Sequence, residues 1–130
     1  MVMLRRGKAP LGMAYAMLRG EIWQVDLDPV RGSEANKRRP AVIVSNDRAN
    51  ATATRLGRGV VTVVPVTSNT EKVYPFQVLL SAATGLNVES KAQAEQVRSI
   101  ATQRLLRRVG RVSNVELGKL DEALRLHLAL

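Results

Sequence analysis

Two short stretches concentrate the residues able to do chemistry. The first runs Arg31-Gly32-Ser33-Glu34-Ala35-Asn36-Lys37-Arg38-Arg39, directly before Pro40 and an apolar run. Guanidinium groups match phosphate oxygens two at a time, so this cluster suits a grip on a phosphate backbone. An ordinary solvated loop would have the same composition. Arg39 stands apart because it abuts the strand that Pro40 begins, and a rigid element then aims its side chain. The second stretch is Pro65-Val66-Thr67-Ser68-Asn69, where a β-branched run gives way to hydroxyl and amide groups able to donate hydrogen bonds to a phosphate or a base edge. Read alone, such residues more often simply terminate strands.

Several other chemistries are excluded by composition. The chain has no cysteine, so disulfides, thiolate zinc sites and a cysteine nucleophile are ruled out. A single histidine, His127, cannot form a His-His acid/base pair or a two-histidine zinc motif. Asp26 and Asp28 share one strand face but lack a third ligand nearby, so they read as strand-end and turn residues. Neither GxGxxG nor GxxxxGK[ST] occurs, and no cofactor is expected.

The 130 residues carry a formal charge of +9 and a pI near 11.1, with 45% hydrophobic and 24% charged residues. That is one globular domain with an anionic partner, and nucleic acid is the commonest such partner for a small basic domain. Residues 1–17 differ from the rest, with Arg5, Arg6 and Lys8 preceding a short apolar stretch broken by Pro10 and Gly12. They read as an N-terminal extension to a domain over 18–130. The stretch is a poor signal peptide and far too short for a membrane span, so the expected location is the cytoplasm. An Asn50-Ala51-Thr52 sequon carries no weight without a secretory route.

The elements that must position these groups follow from periodicity. Trp23, Val25 and Leu27 alternate with polar residues in a half-buried strand ending at Asp28-Pro29. A polar loop through Arg39 leads into the buried strand Ala41-Val42-Ile43-Val44, and Asp47 to Leu56 reads as a short helix. Gly59 to Val66 is a β-branched strand whose end Pro65 places at an edge or bulge. Phe76, Val78 and Leu80 form one face of a fourth strand, and Gln96 to Ile100 suggests a fifth. Ser113 with Glu116 is a capping box for a terminal helix whose stripe is Leu117, Leu120, Leu124 and Leu128, with His127 a partly buried helix-end residue beside it. Short strands closed by one helix indicate a small, mostly-β barrel.

Read in order, these segments resemble the MazF/PemK family of bacterial toxins, its mycobacterial-type members in particular. The resemblance rests on Arg19-Gly20-Glu21-Ile22-Trp23-Gln24-Val25-Asp26-Leu27-Asp28-Pro29, Gly32-Ser33-Glu34, Arg39-Pro40-Ala41-Val42-Ile43-Val44-Ser45, Val64-Pro65-Val66-Thr67-Ser68, Tyr74-Pro75-Phe76-Gln77-Val78 and Glu95-Gln96-Val97-Arg98-Ser99-Ile100. Six anchors in sequence order make a specific match from about Leu18 to the terminal helix. The family implies an SH3-like barrel of the MazF/PemK/CcdB type, a homodimer, and a metal-independent, sequence-specific endoribonuclease acting on single-stranded RNA. It also implies a MazE-like antitoxin whose acidic, disordered segment blocks the RNA groove. Carried over by position, the catalytic arginine falls on Arg39 and the catalytic threonine on Thr67. Gly32, Ser33, Glu34, Lys37, Arg38, Ser68, Asn69 and Arg98 would then line the RNA path.

Two other readings fit the same fold class. A CcdB-like gyrase inhibitor depends on a C-terminal Trp-Gly-Ile tail, whereas this chain ends His127-Leu128-Ala129-Leu130. A non-catalytic RNA-binding module would use Arg39 and Thr67 only to position phosphate. Sequence-specific readers of RNA commonly stack unpaired bases on aromatics, and the candidates here are Tyr15, Trp23, Tyr74 and Phe76. With Trp23 and Phe76 expected in the core, base choice is expected to rest largely on hydrogen bonds and loop shape.

Overall fold

The computed structural model describes residues 17–27 and 38–130. The Lys37 and Glu34 region of the basic loop, with Gly32 and Ser33, lies outside the described residues, as do residues 1–16. Strands β1 (Glu21–Asp26), β2 (Arg38–Ile43), β3 (Val60–Thr67), β4 (Gln77–Leu80), β5 (Ser90–Gln93), β6 (Arg98–Ala101) and β7 (Leu105–Arg111) form one antiparallel sheet in the order β4-β5-β3-β2-β1-β7, with β6 also on β3. Helix α1 (Asp47–Leu56) connects β2 to β3, and α2 (Asn114–Leu128) closes the chain. This is the expected mostly-β class with a C-terminal helix.

Strand alternation sorts the apolar residues onto two faces, and each has its own core. On the first, Ile22, Val42, Val64, Val66, Val78, Leu80 and Ala92 pack with Leu120 and Ala123 of α2. On the second, Trp23, Val25, Ala41, Ile43, Val61, Val63 and Ile100 pack with Met17 and with Ala53 of α1. A strand buried on both faces cannot alternate apolar with polar, which explains the continuous apolar runs in β2 and β3.

Helix α1 spans the expected residues. Asn46 caps it by accepting from the Ala49 N–H at 2.8 Å, and Gly57 ends it at φ +67°. Asn50 of the sequon is fully buried, its amide held by Ser45, so it is not a modification site. The α2 capping box is present, with Ser113 Oγ accepting from the Glu116 N–H and the Glu116 carboxylate accepting from the Ser113 N–H. Its apolar stripe is shorter than expected: Leu120 and Ala123 are buried and Leu117 and Leu124 pack partly buried against the same core, while His127 and Leu128 in the last turn are exposed.

Three further expectations change. The polar loop does not extend through Arg39, because Arg38 and Arg39 already pair with Asp26 and Val25 of β1. Pro65 lies inside β3, where the outer edge of that strand passes from β6 to β5, so its missing N–H falls at a break in the ladder. Strand β7 has no counterpart in the periodicity, since Leu-Leu-Arg-Arg-Val-Gly-Arg does not alternate. It forms by pairing with β1, and its arginines occupy the sheet edge, where charge discourages further strand addition. Gly110 of β7 meets the 3-10 turn Ala82–Thr84 so closely that a Cβ there would lie 1.7 Å from the Thr84 carbonyl oxygen.

One buried charge ties these parts together. Glu21 is 0% exposed, and its carboxylate accepts from the Leu18 N–H at 2.8 Å, Trp23 Nε1 at 3.2 Å and Arg108 Nε at 2.9 Å. The Arg108 side chain is 42% exposed, so the carboxylate is the member that would be stranded. Removing its guanidinium partner costs up to about 3–5 kcal/mol, and Arg108→Met should lower unfolding stability towards that order in urea titrations. A second carboxylate gives a pH signature. Burial opposes charge on Glu116, but hydrogen bonds from the Ser113 and Ser81 N–H groups and the Ser113 side chain, with Lys119 nearby, outweigh it and hold its pKa below 4.5. A depressed folded-state pKa stabilises above the unfolded value, and that stability is lost as pH falls through the folded one. The thermal midpoint of the wild-type chain should therefore exceed that of Glu116→Gln at neutral pH, the gap closing below pH 4.5.

Candidate nucleic-acid interface

The register of the sheet sets out the candidate site. Val25 of β1 faces Arg39 of β2, Thr67 of β3 faces Lys91 of β5, and Lys91 faces Leu79 of β4. The β2-β3 pairing runs Ile43 with Val63 and ends at Ala41 with Pro65; continued two residues beyond the ladder, the same register would set Arg39 against Thr67. Arg39, Thr67 and Lys91 thus stand in one transverse row on the second face of the sheet. They lie where its apolar core, ending at Val25 and Ala41, gives way to polar groups.

Each member has a distinct local environment. Arg39 is half-buried and enters no ion pair among the described residues. The half-buried Thr67 hydroxyl accepts from the Asn69 N–H at 3.2 Å, and Asn69 Oδ1 accepts from the Glu71 N–H at 3.2 Å, so the turn after β3 is built on its own side chains. A hydroxyl that accepts from backbone still has its proton to donate. Lys91 is buried to 7% exposure, and its ammonium donates to the Lys72 carbonyl, fixing the far side of the loop that starts at Ser68.

The remaining sequence candidates divide by strand geometry. Ser68 and Asn69 are exposed beside Thr67. Arg98 is exposed and pairs with Val63, which puts it on the same face four residues along from Thr67, about 13 Å at the usual strand rise. Arg38 is exposed opposite Asp26 and, by alternation, projects from the face opposite to Arg39. The sheet therefore gathers Arg39 and Thr67, keeps Ser68 and Asn69 with them, and sets Arg98 and Arg38 apart.

Two features have no counterpart in the sequence reading, and a third, the aromatic pair Tyr74 and Phe76, lies otherwise than expected. Lys91 is one, hidden in a polar strand. The second is a buried polar group beside the row: Gln77 faces Gln93, and Gln77 Nε2 donates to Glu95 Oε2 at 2.6 Å. Gln93 Oε1 and Glu95 Oε1 are buried without a hydrogen-bond partner among the described residues, two acceptors that call for a donor-bearing group or water. The third is aromatic. Phe76 is half-buried rather than core, and its ring lies parallel to that of exposed Tyr74, 2° between planes and 5.4 Å between centroids. Tyr74-Pro75-Phe76, an aromatic pair around a proline, was the available signal.

A cleft of about 320 Å³ opens elsewhere on the second face, lined by Met17, Trp23, Ala53, Thr54, Gly57, Thr102, Gln103, Leu105 and Leu106. It contains no ionisable side chain and so offers no acid, base or anion grip. Among the described residues no three His, Asp or Glu side chains converge as metal ligands would. No helix there is long and apolar enough to cross a membrane.

Known proteins share both sequence and fold with this chain. A family model described as PemK-like, MazF-like toxin of type II toxin-antitoxin system matches residues 18–128. Over 115 residues the chain is 80% identical to endoribonuclease MazF9 of Mycobacterium tuberculosis, covering 88% of this chain and 98% of that protein. The crystal structure of MazF (Form-I) from Deinococcus radiodurans superposes with a TM-score of 0.73 at 26% identity, covering 90% of this chain and 100% of the other. The MazE-MazF (Form-I) structure from the same organism gives 0.67 at 26% identity, with the same coverage.

The Lys91 clamp is separable from the chemistry beside it. Lys91→Met keeps the aliphatic stem and removes the ammonium that holds the Lys72 carbonyl. Losing a charge-assisted bond of this kind should cost about 1–3 kcal/mol and raise amide hydrogen exchange across residues 69–76, measured by mass spectrometry, without changing exchange in α2.

Proposed function

The chain belongs to the PemK-like, MazF-like toxins of type II toxin-antitoxin systems and is an endoribonuclease of that family; we propose that it cuts single-stranded RNA at specific sequences by using the RNA's own ribose 2′-OH as nucleophile. The observation that supports this reading is the β2-β3 register, which ends at Ala41 with Pro65 and leaves Arg39 and Thr67 on the same face just beyond it. An always-charged guanidinium and a hydroxyl with a proton to give suit a phosphate that is gaining negative charge.

In this reaction the 2′-oxygen bonds to the adjacent phosphorus and releases its proton. The bond from phosphorus to the 5′-oxygen breaks, and that oxygen takes up a proton. The products are a 2′,3′-cyclic phosphate and a 5′-OH. No metal ion or organic cofactor enters any step. Arg39 stabilises the pentavalent phosphorus with paired N–H groups, and Thr67 donates a further hydrogen bond to the same phosphate. Arginine, with a pKa above about 12, does not abstract the proton. Glu34 is the carboxylate nearest in sequence, suited either to that task or to orienting the substrate.

In this reading Gly32, Ser33, Glu34 and Lys37 contact the RNA beside Arg39, Ser68 and Asn69 contact it beside Thr67, and Arg98 meets a nucleotide further along the strand, while Arg38, on the opposite face, does not touch the same stretch of RNA. The net charge of +9 supports a polyanionic substrate. The same charge supports a MazE-like antitoxin whose acidic segment occupies the groove, and the MazE-MazF structure of the Deinococcus relative supports such a partner. A homodimer would widen the groove to accept RNA and cover open sheet edges. The chain acts on mRNA in the cytoplasm, and cleavage there stops translation and growth.

With purified protein and mixed-sequence single-stranded RNA in EDTA, discrete cuts with cyclic-phosphate and 5′-OH ends are expected. Arg39→Ala should lower the cleavage rate by about 10² to 10³ while RNA affinity changes little. Affinity falling by the same factor as rate would make Arg39 a grip residue instead, and an uncut pool would remove the enzymatic reading.

A further inference from the structure

We propose that the ring of Tyr74, held flat on Phe76, is a stacking platform for an unpaired base of the RNA, fixing one nucleotide near the cut. This rests on the reading of the chain as an RNA-cleaving enzyme and adds to it a residue that reads position.

Tyr74 is 48% exposed, although a tyrosine with no external partner usually buries its apolar body. Phe76 covers part of one face of its ring, and the 5.4 Å centroid separation makes this an offset stack, which leaves the pair room to extend. Trp23 cannot serve in its place. It is 7% exposed in the second core, and its indole N–H is given to Glu21.

The fold does not need the Tyr74 ring to hold the turn. Backbone bonds do that: the Tyr74 N–H donates to Gln77 Oε1 at 3.1 Å, and the Tyr74 carbonyl accepts from the Gln77 N–H at 2.8 Å. Gln77 is itself buried and anchored through Glu95. A ring on so fixed a backbone is preorganised, and little entropy is lost when a base lands on it.

Its location follows from the candidate site. Lys91 lies opposite Thr67 in the ladder, and its ammonium holds the Lys72 carbonyl, two residues before Tyr74. The same clamp therefore ties the platform to the row that contains Arg39 and Thr67. The Lys72 side chain is exposed and supplies a cation for the backbone of a strand whose base has turned onto the ring, while Glu71 beside it disfavours any phosphate placed further back.

Base-aromatic stacking of this kind changes affinity by roughly 5- to 150-fold per base. The test is fluorescence anisotropy with a labelled single-stranded oligoribonucleotide that spans a mapped cut and has one 2′-deoxynucleotide at the cut, so that it binds without being cleaved. Where no cut maps, the tightest-binding member of a mixed-sequence pool takes its place. Tyr74→Ala should weaken binding within that range, and Tyr74→Phe should restore it, with far-UV circular dichroism unchanged in both. Replacing one nucleotide at a time by an abasic unit should reproduce the loss at a single position in wild type and add nothing further in Tyr74→Ala. Equal affinity of Tyr74→Ala and wild type overturns the proposal, as does an abasic penalty that persists undiminished in the variant; unchanged RNA binding with weaker capture of an acidic antitoxin peptide would make the stack a protein-docking surface. Wild-type protein that cuts RNA regardless of Tyr74 sinks the platform alone. Wild-type protein that binds RNA but leaves an all-ribose strand uncut sinks the enzymatic reading, while the abasic scan still decides on Tyr74.

Discussion

A carboxylate withdrawn from water and held, among the described residues, by donors from three parts of the structure is the constraint on which the arrangement of the sheet depends. Glu21 sits at the start of β1 and takes hydrogen bonds from the turn before it, from Trp23 in the second core and from Arg108 on β7. Each donor comes from a different part of the structure, so the charge is satisfied only when the entry turn, the indole and the edge strand are all in place. That makes it a determinant of register as well as of stability. A one-residue slip of β7 would leave a buried charge short of its guanidinium, at a cost comparable to a substantial part of the net stability of a small domain.

With β1 fixed, the rest of the sheet places the site by geometry. The second face is apolar as far as Val25, Ala41 and Pro65, and the next row is Arg39, Thr67 and Lys91. A guanidinium carried on a strand that is bonded to a neighbour has little freedom to drift, which suits a group that must meet charge developing on a phosphate. The loop beyond Thr67 is held with equal economy, by Asn69 on Thr67, by Lys91 on Lys72 and by Gln77 on Tyr74. It owes its shape to hydrogen bonds rather than to a hydrophobic anchor, so its side chains remain free to face a ligand.

Charge is distributed according to the same division. The arginines of β7 occupy the sheet edge, and Arg98 stands on the second face away from the Arg39 row. Such a surface attracts RNA over a distance of about a Debye length, near 10 Å at moderate salt, before any specific contact forms. Arg19 shows the contrasting use of the same residue type. Its backbone N–H meets Asp47 at the start of α1, its Nε meets the Val44 carbonyl, and its guanidinium pairs with Asp121 of α2, so it joins both helices to the sheet.

Local signals suffice for α1, the capping box of α2 and the β-branched strand, because caps and branching act within a few residues, whereas the start of β2 at Arg38 is set by its pairing with β1. The six ordered anchors are likewise legible in the sequence, and they identify the family by themselves. Strand β7 was not legible, since its pairing with β1 and its arginine to Glu21 are contacts between residues far apart in sequence. Nor was the row that brings Arg39 to Thr67, because register is a property of two strands together and neither sequence contains it. Phe76 was placed in the core on hydrophobicity alone. Only the turn fixed by Gln77 and Glu95, which lie apart along the chain, brings it out to lie against Tyr74, where the pair becomes a surface instead of a filling.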